Sequence, residues 1–99
     1  MSKELINAIV SSVSFIPGII GLSKVDLNNK RDALLEKDWP KSVLISESDK
    51  GFDVSIAFIV SREINSKTIS KEVHSSISSI FEKQDIKLNK INIYIRGVK

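Results

Sequence analysis

The sequence has no cysteine among its 99 residues. This absence excludes disulfide bonds, thiolate metal sites, iron–sulfur clusters and a cysteine nucleophile. It also lacks an apolar run of about 20 residues, the length that a membrane-spanning helix needs. A signal peptide would require a basic segment and a small-residue cleavage site, and neither is present at the N-terminus. We therefore expect a cytoplasmic protein that is stabilised by packing alone.

The excess of positive charge is also small: the sequence has 15 basic and 12 acidic residues, and its formal net charge is +3. That balance is far from the basic excess of a typical nucleic-acid-binding domain. Hydrophobic residues make up 41% of the chain and charged residues 27%, as in an ordinary soluble globule. A chain of this length has room for one core, so residues 1–99 are predicted to form a single domain.

The apolar periodicity predicts two helices. The first covers residues 3–15 and ends before Gly18, because Pro17 cannot continue it. The second is capped by Asn65 or Ser66 and ends near Gln84. Its apolar stripe consists of Ile69, Val73, Ile77, Ile80 and Phe81.

Alternating apolar residues predict the strands over residues 52–60 and 91–96, and residues 42–48 have a β-like pattern. Residues 42–48 and 52–60 form a hairpin around the turn residues 49–51, and residues 91–96 form a last strand. A short extended piece is expected after the first helix. The segment 28–41 reads as a charged surface connection, in which residues 33–35 could form one helical turn. Pro40 favours an extended Trp39 and ends any such turn. The order predicts an α+β two-layer sandwich, helix-strand-strand-helix-strand, with both helices on one face of a small mixed sheet.

Titratable residues do not form a catalytic pattern. His74 could act as a general base, but no Ser/Asp pair accompanies it, and a metal site needs several ligands. We therefore interpret His74 as a structural residue. The acidic residues Glu47, Asp49 and Asp53 lie near one hairpin but lack the spacing of a calcium loop. The sequence predicts no catalytic, metal-binding or cofactor-binding residue.

Candidates for protein contacts are Trp39, Lys67 and Lys71. A lone tryptophan in a charged loop either covers the core as a lid or serves as an interaction anchor, and the lid is favoured. Lys67 and Lys71 share one face of the second helix. The same helix carries a serine-rich face that is suited to packing against a copy of itself or another partner: Ser70, Ser75, Ser78 and Ser79.

A second hypothesis concerns Gly18 and Gly21. Their spacing matches the GxxG loop with which KH domains clamp a nucleotide backbone. Such a loop presents backbone and basic side chains to phosphates, whereas Ile19 and Ile20 are better suited to burial. RNA or ribosome binding is therefore the alternative, and protein contacts are the first expectation.

The segment from Phe52 to Val98 combines an alternating strand that ends in Ile59-Val60, a polar break, a helix, and a closing segment, residues 91–98, of sequence INIYIRGV. In this combination it resembles the alkaline shock protein family of Gram-positive bacteria. The likeness extends to the first helix and to the turn over residues 17–22. The connection over residues 28–41 is longer and more charged than that family usually carries.

This resemblance implies a non-enzymatic cytoplasmic protein linked to cell-envelope stress. It also implies self-association, and recruitment to the membrane surface by a separate anchor protein without insertion of the chain itself. No catalytic residue carries over from the family.

Overall fold

A computed structural model describes residues 3–23 and 36–99. Over these residues the elements are helix α1 (Lys3–Ser14), strand β1 (Ile19–Ser23), 3₁₀ helix η1 (Glu36–Ser42), strands β2 (Val43–Ser48) and β3 (Gly51–Val60), helix α2 (Ser66–Lys83) and strand β4 (Leu88–Val98). Both α-helices pack on one face of a mixed sheet, which confirms the predicted α+β two-layer sandwich.

β3 is the centre of the sheet. β4 pairs with it in parallel along one edge, while β2 and β1 both pair with it antiparallel along the other edge. Ser23 of β1 lies opposite Ala57, and Val43 of β2 lies opposite the adjacent Ile56. β1 and β2 therefore form the two halves of one edge, and the pairing with β2 begins at the position of β3 next to the one where the pairing with β1 ends.

The even-numbered residues of β3 face the helices, as the alternation predicted. The buried members of this set are Val54, Ile56, Phe58 and Val60, and they share one cluster with residues of both helices. Burying each large apolar side chain contributes about 1.5–3 kcal/mol, most of which offsets the entropy of ordering the backbone. Ile59 faces the other side and is also buried. A Cβ atom added at Gly97 would lie within 3.8 Å of the Ile59 side chain, which is ordinary van der Waals contact.

The ends of α2 agree with the sequence prediction. The Asn65 side chain accepts a hydrogen bond from the Lys67 N–H at 2.8 Å, which satisfies one donor of the first turn. Gln84 closes the helix and donates its own N–H to the Ile80 carbonyl at 3.2 Å.

Two glycines adopt backbone angles that other residues rarely take. Gly18 has φ of +99° and directs the chain from α1 into β1, and Gly51 has φ of +126° at the end of the β2–β3 turn. A Cβ at Gly51 would lie 2.7 Å from the Lys87 carbonyl oxygen, so this position also requires the close approach that only glycine permits.

The predicted extended conformation at Trp39 is wrong, because Trp39 and Pro40 both lie inside η1. A proline φ near −65° fits a 3₁₀ helix, and the Trp39 side chain packs against the core. The Ser42 hydroxyl then donates to the Trp39 carbonyl at 2.7 Å. The helical turn considered at residues 33–35 lies outside the described residues.

Candidate functional site

The open edge of β4 runs along the longest strand of the sheet. One edge of this 11-residue strand pairs with β3, and no other strand in the described ranges pairs with its outer edge. Apolar side chains along it remain accessible: Tyr94 is 36% exposed, Ile95 39% and Val98 54%. An unpaired edge of this kind can accept another strand.

The backbone of β3 determines which β4 groups are free. The Phe52 N–H donates to the Lys87 carbonyl, and the Val60 carbonyl accepts from the Lys99 N–H, both at 2.9 Å. Because backbone groups alternate in direction along a strand, the even-numbered residues of β3 point toward β4. The odd-numbered residues therefore point toward β1 and β2.

In a parallel ladder, a residue whose N–H and C=O groups point toward the neighbouring strand bonds to the two residues that flank the residue opposite it. The N–H and C=O groups of that opposite residue point away from the first strand. The odd-numbered residues 53–57 of β3 lie opposite Lys90, Asn92 and Tyr94. Those three residues therefore direct their N–H and C=O groups toward β3. Ile91, Ile93 and Ile95 direct their N–H and C=O groups away from β3. We call these three the outward-facing residues, a term that refers to their backbone groups.

Irregularities bound the regular part of this edge. The pairing of β4 with β3 shifts between Phe52 and Asp53, and again between Phe58 and Ile59. These shifts place an extra residue of β4 at Asn89 and at Arg96, so residues 90–95 form an uninterrupted ladder between them. Bulges commonly limit the pairing of an edge strand, and here they leave a six-residue segment with three outward-facing residues.

A groove of about 370 Å³ separates α2 from one end of β4. His74 and Ser78 line it, with the His74 Nδ1 and the Ser78 Oγ 3.4 Å apart. His74 is exposed. Within residues 3–23 and 36–99, no three histidine or acidic side chains lie where they could hold a metal ion together.

A second groove, of about 570 Å³, lies beside the end of α1. Phe15, Trp39 and Pro40 line it, and Phe15 is 84% exposed. Trp39 is half-buried against the core, which agrees with the lid that the sequence favoured. The apolar stripe of α1 did not reveal Phe15, because Phe15 follows the last residue of α1 and does not belong to that stripe.

The other predicted contact residues lie elsewhere. Lys67 and Lys71 are exposed on the first turns of α2, whereas Trp39 lies on η1 beside α1. The structure thus places Trp39 on a different element from the two lysines, which share α2. An interaction role for each of them stays a prediction.

The predicted GxxG loop is not a free loop. Gly21 lies in β1 opposite Ile59, and the Gly18 carbonyl accepts a hydrogen bond from the Ser61 N–H at 2.8 Å. A Cβ at Gly18 would meet the buried Ile69 side chain at 2.7 Å. Because this backbone is committed to the sheet and the core, the geometry argues against a phosphate clamp at Gly18 and Gly21.

Neither α1 nor α2 combines the length and the apolar character that a membrane crossing requires, and no other helix of the described part does so.

No known family model matches the sequence. A protein of Streptococcus pyogenes serotype M6, called uncharacterized protein Spy1614, is 24% identical over 103 residues, which covers 100% of this chain and 85% of that protein. Among solved structures, the nickel form of one MamM CTD variant has a TM-score of 0.55 at 9% identity and covers 97% of this chain and 98% of its own. A second nickel form has a TM-score of 0.54 at 10% identity, with 95% of each chain covered. These structures share the fold with this chain.

Proposed function

We propose that this chain is a non-enzymatic protein-interaction module that self-associates through the open edge of β4. The observation that carries this proposal is the regular segment 90–95, in which the outward-directed backbone groups of three isoleucines meet no further strand in the part of the chain that the structure describes. Strand addition at such an edge gives affinity through main-chain hydrogen bonds and specificity through alternate side chains.

The side chains beside this edge support the proposal. Ile91 and Ile93 pack against the core and hold the strand in place, while Ile95 remains 39% exposed. A second strand laid along the edge would cover Ile95 and bury part of Tyr94. The edge therefore combines unpaired backbone groups with apolar surface, which are the two features that favour strand addition.

The sequence resemblance to the alkaline shock proteins supports a cellular role for this module. On that basis we propose a role in the cell-envelope stress response, on the cytoplasmic side, with a membrane-anchor protein as a further partner. The similarity to the Streptococcus protein, which is of similar length, supports a bacterial origin for this module.

Multi-angle light scattering over a concentration series tests the self-association. The expected result is an average mass that rises from that of the 11.0 kDa chain toward twice that value. Glu47→Gln serves as a control variant, because Glu47 is exposed on β2, which pairs with the opposite side of β3 from β4. A mass that stays at that of the monomer throughout the series would contradict the proposal.

A further inference from the structure

We infer that two copies of the chain pair their β4 strands antiparallel around a twofold axis at Ile93, which joins the two sheets into one. This inference rests on the proposed self-association and adds the partner and the register. It follows from the direction of the backbone groups along the open edge, together with the positions of the two bulges.

The backbone directions restrict the possible registers. In an antiparallel pair, opposite residues must both direct their backbone groups toward the partner or both direct them away. A twofold pairing of β4 is therefore centred on a residue of the strand. The centres that bring at least two of the three outward-facing residues opposite one another are Asn92, Ile93 and Tyr94.

Only the register centred on Ile93 uses all three outward-facing residues. It places Ile93 opposite its own copy and Ile91 opposite the partner's Ile95, so each outward N–H and C=O gains a partner. A centre at Asn92 would bring Ile95 opposite the bulged Asn89, and a centre at Tyr94 would bring Ile91 opposite Gly97, beyond the second bulge. Bulges disrupt a ladder, so both alternatives lose hydrogen bonds that the Ile93 register keeps.

Side chains on both faces are compatible with this register. On the helix side, Ile91 would meet the partner's Ile95 and shield its exposed part. On the opposite side, Asn92 would meet the partner's Tyr94, so an amide lies beside an aromatic ring.

Charge lies only at the ends of the paired segment. Lys90 is opposite the partner's Arg96, and like charges that face each other directly oppose pairing. The Arg96 guanidinium lies 5.0 Å from the centre of its own Tyr94 ring, which turns this charge back along its own strand. The uncharged residues 91–95 thus make up the centre of the interface.

Engineered disulfides can identify the register, because the natural chain has no cysteine. Asn92 and Tyr94 form a pair without mutual hydrogen bonds in the proposed dimer. Opposite residues of this type have Cα atoms about 4.5 Å apart, within the range that a disulfide spans. The Asn92→Cys and Tyr94→Cys chains, made with different affinity tags, are mixed and oxidised with glutathione disulfide. Both positions are accessible, so the fold should tolerate either change.

The expected product is a mixed disulfide between the two variants, in excess over either symmetric product. Predominant linkage of Asn92→Cys to itself would indicate a centre at Asn92, and predominant linkage of Tyr94→Cys to itself a centre at Tyr94. Either result would overturn the proposed register and leave the β4 interface intact. A dimer in light scattering without any cross-link would place the interface elsewhere, and a monomer in light scattering would contradict the proposed function itself.

Discussion

Proline at position 95 should weaken the dimer and leave the fold intact. The Ile95 N–H points away from β3, so Ile95→Pro removes no hydrogen bond within the chain. In the dimer, each copy would lose the bond from this N–H to the partner's Ile91 carbonyl. Two lost bonds at about 0.5–1.5 kcal/mol each amount to about 1–3 kcal/mol. The dissociation constant should therefore rise roughly 5- to 150-fold, as measured by sedimentation equilibrium.

The adjacent residue provides a matched control. The Tyr94 N–H points toward β3, so Tyr94→Pro removes a hydrogen bond within the sheet and should lower the free energy of unfolding by about 1–3 kcal/mol. Ile95→Pro should cost about 1 kcal/mol or less, because its side chain is 39% exposed and no sheet bond is lost. Urea unfolding of both variants measures this difference. Equal destabilisation by the two prolines, or an unchanged dissociation constant for Ile95→Pro, would refute the assigned backbone directions.

Three further predictions concern stability and can be checked by urea unfolding. Gly51→Ala should cost about 1–3 kcal/mol, because its φ is +126° and a Cβ would clash with a carbonyl oxygen; wild-type stability would show that the turn rearranges freely. Asn65→Ala should cost about 1 kcal/mol through loss of the α2 cap, and Asn65→Asp should retain the cap; an equal loss in both would exclude capping as the cause. Trp39→Ala should cost about 2–3 kcal/mol, whereas Phe15→Ser on the same groove should change stability by less than about 0.5 kcal/mol; the reverse order would contradict the burial of Trp39.

Local patterns in the sequence were sufficient to predict the sandwich. The alternation in β3 and a cap at Asn65 or Ser66 each follow from a few neighbouring residues. The structure confirms the alternation and shows that Asn65 is the cap. The predicted conformation of Trp39 was wrong because this residue packs against the core. That packing outweighs the bias toward an extended conformation that Pro40 imposes.

The candidate site was harder to predict than the fold. The last strand was expected over residues 91–96, but β4 extends over Leu88–Val98 because β3 offers a partner along its whole length. Which backbone groups of β4 face outward depends on the positions of two bulges. These are set by pairing with β3, 36 or more positions earlier in the chain, so periodicity within β4 alone does not contain this information.

Amide hydrogen exchange at β4 tests the central claim most directly. In dilute solution the amides of Lys90, Asn92 and Tyr94 should exchange slowly, because they bond to β3, and those of the outward-facing residues 91, 93 and 95 should exchange quickly. Raising the protein concentration should slow exchange at 91, 93 and 95 until the alternation disappears. Exchange at these three amides that is independent of concentration, under conditions where light scattering reports a dimer, would contradict pairing at the open edge of β4.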